Sequence, residues 1–175
     1  MQEESRLARF QDIIVPHLDA AYNLARWLTR NDHDAEDVVQ EAYLRAYQFF
    51  GGFRGGDGRA WLLTIVRNTC YTWLQQNRPR EPVAVFDEHV HSPPGGSPGP
   101  EVLLLRQEDQ QLLRQAVEEL PVEFREVVVL RDLEGLSYKD IAHIAGIPLG
   151  TVMSRLARAR QRLQQGLAGH MSKEP

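Results

Sequence analysis

The densest group of side chains able to do recognition chemistry lies near the end of the chain. Thr151, Ser154, Arg155, Arg158, Arg160 and Arg162 follow one another there, with Met153 and Ala157 among them. Interleaved with them, Val152, Leu156, Ala159 and Leu163 recur at intervals of four, three and four residues, the spacing of one buried helical stripe. The rest of such a helix presents arginines and hydroxyls. Arginine pairs with guanine edges or with phosphates, and hydroxyls reach either. Residues 142–169 contain no Asp or Glu, although the chain as a whole has a net charge of −4. That local reversal points to a polyanion, and duplex DNA is the natural one. The plainer alternative is a solvated arginine face, with Arg155 or Arg162 pairing with acids such as Glu126 or Asp132.

A second group occupies residues 54–80. Arg54, Arg59, Arg67, Arg78 and Arg80 are accompanied there by Asp57 as the one acid. They suit the phosphates of a separating strand. Trp61, Tyr71 and Trp73 offer flat faces for unstacked bases, and Asn68 has an amide that both donates and accepts. Against this, Trp61 and Trp73 would serve equally well as core aromatics. In a third group Asp37, Gln40 and Glu41 fall on one helix face, where acids at a helix start also simply favour the helix dipole.

Other chemistries find little support. His17, His33, His89, His91, His143 and His170 are scattered with no metal-ligand spacing, so no metal is expected. Cys70 is the one cysteine, which excludes an intramolecular disulfide, and it sits in an apolar helical stretch that suits a core position. No run of eighteen apolar residues occurs, and the polar, acidic start lacks the pattern of a signal peptide. A cytoplasmic protein without direct membrane insertion is expected.

The elements that must position these groups read as helices throughout. Residues 13–28 carry Ile13, Ile14, Leu18, Ala21, Leu24, Ala25 and Leu28 at helical spacing. A helix over 35–50 follows, with Asp34 as its expected N-cap. The glycine-rich stretch 51–58 reads as a flexible loop, though its glycine pairs suggest no function by themselves. A third helix over 59–76 carries Trp61, Leu62, Ile65, Val66, Thr69 and Trp73.

Residues 78–100, rich in Pro and Gly, are expected to be a mobile linker that cannot pack a core. Fully extended, roughly 25 residues reach about 80 Å, more than two turns of DNA at about 34–36 Å each. Beyond it, Val102, Leu103, Leu105, Leu112, Leu113, Ala116, Val117 and Leu120 suggest one long amphipathic helix. Pro121 is expected to open the next, with Phe124, Val127, Val128 and Leu130 on its apolar face. Ser137 is placed to cap a short helix, with Asp140 three residues on. Ile141, Ala142 and Ala145 would face inward, Gly146 would supply a turn at positive φ, and Pro148 would open the arginine-rich helix. The reading is an all-α chain of two small helical domains, 1–77 and 101–170. They are joined by a flexible linker, and the second is a helix-turn-helix.

Three sequence blocks, in order, resemble a known family. Residues 34–47 (DAEDVVQEAYLRAY) look like the polymerase-binding helix of sigma domain 2. Phe53-Arg54-Gly55, Trp61-Leu62 and Ile65-Val66-Arg67-Asn68 look like that domain's promoter-melting part. Leu120-Pro121, Phe124-Arg125, the run 133–142 (LEGLSYKDIA) and the run 150–160 resemble sigma domain 4. With a linker where domain 3 would stand, the chain resembles the extracytoplasmic-function (ECF) group of the sigma-70 family.

That resemblance implies a transcription-initiation factor without a catalytic site or cofactor. Its partners would be core RNA polymerase (the β′ clamp and the β flap), promoter DNA and an anti-sigma factor. Asp37, Gln40 and Glu41 would grip the β′ clamp. Arg54, Arg59, Trp61, Arg67 and Asn68 would meet the −10 element, with Asn68 and the loop forming a pocket for a flipped base. Thr151, Met153, Ser154, Arg155 and Arg158 would meet the −35 element. Met153 departs from the family, which often has a basic residue there, and Ala157 is small for a reading position. A stand-alone helix-turn-helix regulator that binds DNA without polymerase is the competing function.

Overall fold

The computed structural model describes residues 2–77 and 107–171. The expected linker, Arg78, Arg80, His89, His91, and the apolar residues Val102, Leu103 and Leu105 lie outside the described residues. Within them the secondary structure is helical, with no strand, which gives an all-α fold. The helices form two packed units, each with its own core.

In the first unit, α1 (Gln2–Ile14) buries Phe10 and Ile14, four residues apart. The sequence suggested one helical segment through Ile13 and Leu18. Instead a 3₁₀ turn, Val15–His17, divides α1 from α2 (Leu18–Thr29). Pro16 is the reason, because it lacks the N–H an uninterrupted helix would use. α2 buries Ala21, Leu24, Ala25 and Leu28, then stops at Arg30, whose φ of 62° is left-handed. Asn31 follows in extended conformation and accepts the Asp34 N–H at 3.0 Å.

Asn31, not Asp34, is therefore the N-cap, and α3 starts earlier than expected, spanning Asp32–Phe49. Asp32 and Asp34 then fall inside its first turn, where the helix dipole favours acids. Ala35, Val38, Ala42 and Ala46 form its buried stripe. The small alanines let α3 approach α2 and α4 (Gly58–Asn77) closely, and these three helices pack pairwise as the core of the unit.

The loop before α4 (Gly58–Asn77) is held from both sides. Phe50 stacks on Phe53 at 5.7 Å, and Phe53 meets Trp61 at 5.3 Å, so the loop entrance is bolted to α4 by aromatic contacts. Asp57 caps α4, its carboxylate accepting the Arg59 N–H at 2.9 Å. Three of the loop glycines have a structural account. Gly55 and Gly56 sit at φ of +89° and +90°, where a side chain is strained. A Cβ on Gly58 would stand 2.7 Å from Ile13 Cγ2 and 3.2 Å from the Ile13 carbonyl oxygen, so only glycine lets α4 begin against α1. Cys70 is buried in α4, as a core residue.

In the second unit, α5 (Gln107–Glu119) packs on α6 (Val122–Val128) and on α8 (Leu149–Met171), and α6 packs on α8. Pro121 precedes α6 as its N-cap; its carbonyl accepts the N–H groups of Phe124 and Arg125. The last residues of that helix widen into a π-turn, Val129–Leu133. Besides the apolar residues expected there, α6 buries Arg125 completely. The Arg125 Nη1 donates to the carbonyl oxygens of Leu120 at 2.6 Å and Glu118 at 3.2 Å. It thus satisfies carbonyls that the end of α5 leaves without helical partners.

The helix-turn-helix forms as the pattern predicted. Ser137 Oγ accepts the Asp140 N–H at 3.0 Å, opening α7 (Tyr138–Ala145). Ile141, Ile144 and Ala145 are buried, while Ala142 is half-buried. Gly146 turns at a φ of 68°. The carbonyl of Pro148 then accepts the N–H groups of Thr151 and Val152 at 3.0 and 3.2 Å, so α8 proper begins one residue later, at Leu149.

Candidate nucleic-acid and partner interfaces

The inner stripe of α8, Val152, Leu156, Ala159 and Leu163, is buried against the second unit. That fixes which side chains can face outward. Met153 is 52% exposed and Leu149 50% exposed. Thr151, Ser154, Arg155 and Arg158 are each half-buried. The Ser154 hydroxyl donates back to the Gly150 carbonyl at 2.9 Å. Its oxygen is therefore left to act as an acceptor toward any outside group.

Two arginines of α8 serve the fold. Arg160 Nη2 reaches Asp132 Oδ1 at 2.8 Å, tying α8 to the turn that follows α6. Burial works against the Arg160 charge, but the hydrogen bond and charge of Asp132 outweigh it and raise its pKa above the ordinary value. The Arg162 guanidinium lies 4.9 Å from the centre of the Phe124 ring. The acid Asp132 is thus met by Arg160 rather than by the residues the sequence suggested.

On α3, Asp37, Gln40 and Glu41 are all exposed, on the side opposite the buried alanines. Leu44, 62% exposed, extends the same stripe by one further turn. Sequence reading passed over Leu44. Its position seven residues after Asp37 was the available signal, since that spacing returns to the same helix face. Glu41 is not isolated: Arg45 Nη2 lies 2.8 Å from its Oε1. The surface offers carboxylates and an amide beside an apolar side chain, a set suited to a protein partner.

The third group is spread along α4 and its entrance. Asn68 is exposed, and the Arg67 Nη1 donates to its Oδ1 at 3.3 Å. The Arg67 guanidinium also lies 3.7 Å from the centre of the Tyr71 ring, so cation, ring and amide form one patch. Arg54 is exposed in the loop and Arg59 half-buried at the start of α4. Asn68 follows Arg59 by nine helical positions, about 13 Å along the axis. Trp61 is half-buried against Phe53 and Phe50, so part of its ring is committed to packing. Among the described residues, no three His, Cys, Asp or Glu converge as metal ligands, and no helix is long and apolar enough to cross a membrane.

Two family profiles match these units. Sigma-70 region 2 covers residues 13–80 and Sigma-70 region 4 covers residues 110–163. The ECF RNA polymerase sigma-E factor of Escherichia coli (strain K12) is 39% identical over 137 residues, which span 74% of the chain and 72% of that relative. The chain belongs to the ECF sigma factors of the sigma-70 family.

As a sigma factor it directs RNA polymerase, and it is a DNA-binding regulator. It is also 35% identical over 173 residues to the ECF RNA polymerase sigma factor SigE of Mycolicibacterium smegmatis, spanning 97% of the chain and 66% of that relative's length. The fold resembles that of the sigma factor RpoE of Bartonella quintana, solved with the anti-sigma factor NepR. The TM-score is 0.69 at 30% identity, covering 91% of this chain and 97% of that one. CnrH, solved with the cytosolic domain of CnrY, gives a TM-score of 0.63 at 25% identity, covering 91% of this chain and 88% of that one.

Proposed function

We propose that this sigma factor divides its work between two domains, residues 1–77 and 101–170, joined through residues 78–100. The first docks on the β′ clamp of core polymerase through Asp37, Gln40 and Glu41. It also captures unstacked bases of the −10 element with Asn68, aided by Arg54, Arg59, Trp61 and Arg67. The second contacts the β flap and sets α8 into the major groove of the −35 element, with Thr151, Met153, Ser154, Arg155 and Arg158 facing the DNA. Chemistry belongs to the polymerase, while this chain supplies position and strand separation. It works in the cytoplasm, and an anti-sigma factor restrains it, in keeping with the complexes formed by RpoE of Bartonella quintana and by CnrH.

One observation carries this reading: surfaces of opposite character on separate units. The exposed stripe of α3 is acidic and amide-bearing, which would repel DNA phosphates and suits a protein. α8 and its approach are free of acids over residues 142–169. Neither surface alone accounts for the chain.

Run-off transcription with core polymerase on candidate promoters tests the proposal. Specific transcripts should depend on this protein, while its specific binding to duplex alone should be weak. Tight specific duplex binding without polymerase, together with no effect on transcription by core enzyme, would instead establish the stand-alone regulator. Binding should also weaken with salt, because each phosphate contact releases counterions.

A further inference from the structure

α8 enters its proposed groove with an apolar leading edge. Leu149 and Met153, four residues apart, are neighbours on one helix flank and are half-exposed at 50% and 52%. Ala157 continues that row one turn later. A single exposed apolar side chain needs no explanation. Here two large ones sit side by side at the start of a helix otherwise supplied with arginines and hydroxyls. Next to them a Cβ on Gly150 would meet nothing within 4 Å, so the surface around Met153 is open.

Neither Leu149 nor Met153 can donate a hydrogen bond to a guanine edge or a phosphate. In the major groove the one apolar feature of a base pair is the C5-methyl group of thymine. The adjacent Ser154 has its proton engaged by the Gly150 carbonyl at 2.9 Å and presents an acceptor, which suits the amino group of adenine in the same or the neighbouring pair. We infer that the Leu149–Met153 ridge selects thymine in the −35 element by burying its methyl group, so that this sigma factor reads part of its promoter through apolar contact. The inference rests on the placement of α8 in the −35 groove.

The test uses the full-length protein with core polymerase, selecting from promoter DNA with a randomised −35 element. Thymine should be enriched at one or two neighbouring positions. Met153→Ala, and Leu149→Ala with it, should flatten the preference there while enrichment elsewhere in the element persists; Met153→Leu should retain it. Replacing the selected thymine by deoxyuridine removes only the methyl group. That should weaken native binding about three- to fivefold, the size of one buried methyl, and leave Met153→Ala unaffected. Absence of thymine enrichment, its survival in the Met153→Ala variant, or indifference to deoxyuridine would each overturn the inference. A selection with no preference at any −35 position would overturn the placement of α8 as well. Circular dichroism of both alanine variants should match the native protein, since neither side chain is in the core.

Discussion

Arg160 and Asp132, 28 residues apart in sequence, meet at 2.8 Å through Nη2 and Oδ1. The pair joins the middle of α8 to the π-turn after α6, and so helps set the angle at which the arginine-rich helix leaves the domain. Arg160 is the more sheltered partner, with 16% of its side chain exposed against 40% for Asp132. It lies outside the set assigned to DNA, and its charge is spent on holding the helix rather than on phosphate.

Asp132→Ala should therefore lower the stability of the C-terminal unit modestly, by about 0.5–1 kcal/mol, as for a partly exposed ion pair. Thermal denaturation of the full chain checks this. A loss well beyond that range would mean that the pair controls more of the packing than its exposure suggests.

Gly58→Ala should be costly, whereas Gly51 earlier in the same loop should tolerate a side chain. The added Cβ would press on Ile13 Cγ2 at 2.7 Å and on its backbone oxygen at 3.2 Å, and overpacking of this kind costs about 1–3 kcal/mol. Gly51→Ala, with open space around it and no unusual φ, is the control and should change little. Comparing the two melting temperatures decides the point.

Gln40→Ala and Glu41→Ala together should weaken core-polymerase binding by about 1–3 kcal/mol if the α3 stripe is a docking surface. Both side chains are exposed, so folding should be nearly unaffected; the lost Glu41–Arg45 pair accounts for about 0.3–0.5 kcal/mol at most. Competition against unmodified protein for limiting core enzyme gives the affinity. Unchanged affinity would remove the docking assignment and leave the fold intact.

Asn68→Ala should slow promoter opening while sparing duplex binding by the holoenzyme. The amide is exposed, and its one described side-chain contact is with Arg67, so the loss would fall on the DNA step rather than on stability. Permanganate reactivity of thymines at the −10 element reports opening. Native opening in the variant would exclude Asn68 from base capture.

Local chemistry written in the sequence was enough for most of the elements. Spacing alone determined the buried stripe of α8, the Ser137 cap, the positive φ at Gly146 and the exposed face of Asp37, Gln40 and Glu41, because each depends on helical periodicity or on residues a few positions apart. The family resemblance likewise followed from three ordered blocks. Where neighbouring signals compete, the local reading failed. Asn31 displaced Asp34 as the cap because both are good caps and only the backbone path after Arg30 chooses between them. Pro16 divided a pattern that looked continuous.

Contacts between distant residues had no such local signature. Nothing near Gly58 announces that Ile13 will lie against it, nor does the sequence around Arg125 reveal that it will close the end of α5. The sequence offered several acids for the arginines of α8, and only the packing of α6 on α8 brought Asp132 to Arg160. Periodicity decides which way a side chain points from its own helix. Which partner it meets depends on how helices separated by tens of residues come together, and that is settled by the tertiary structure.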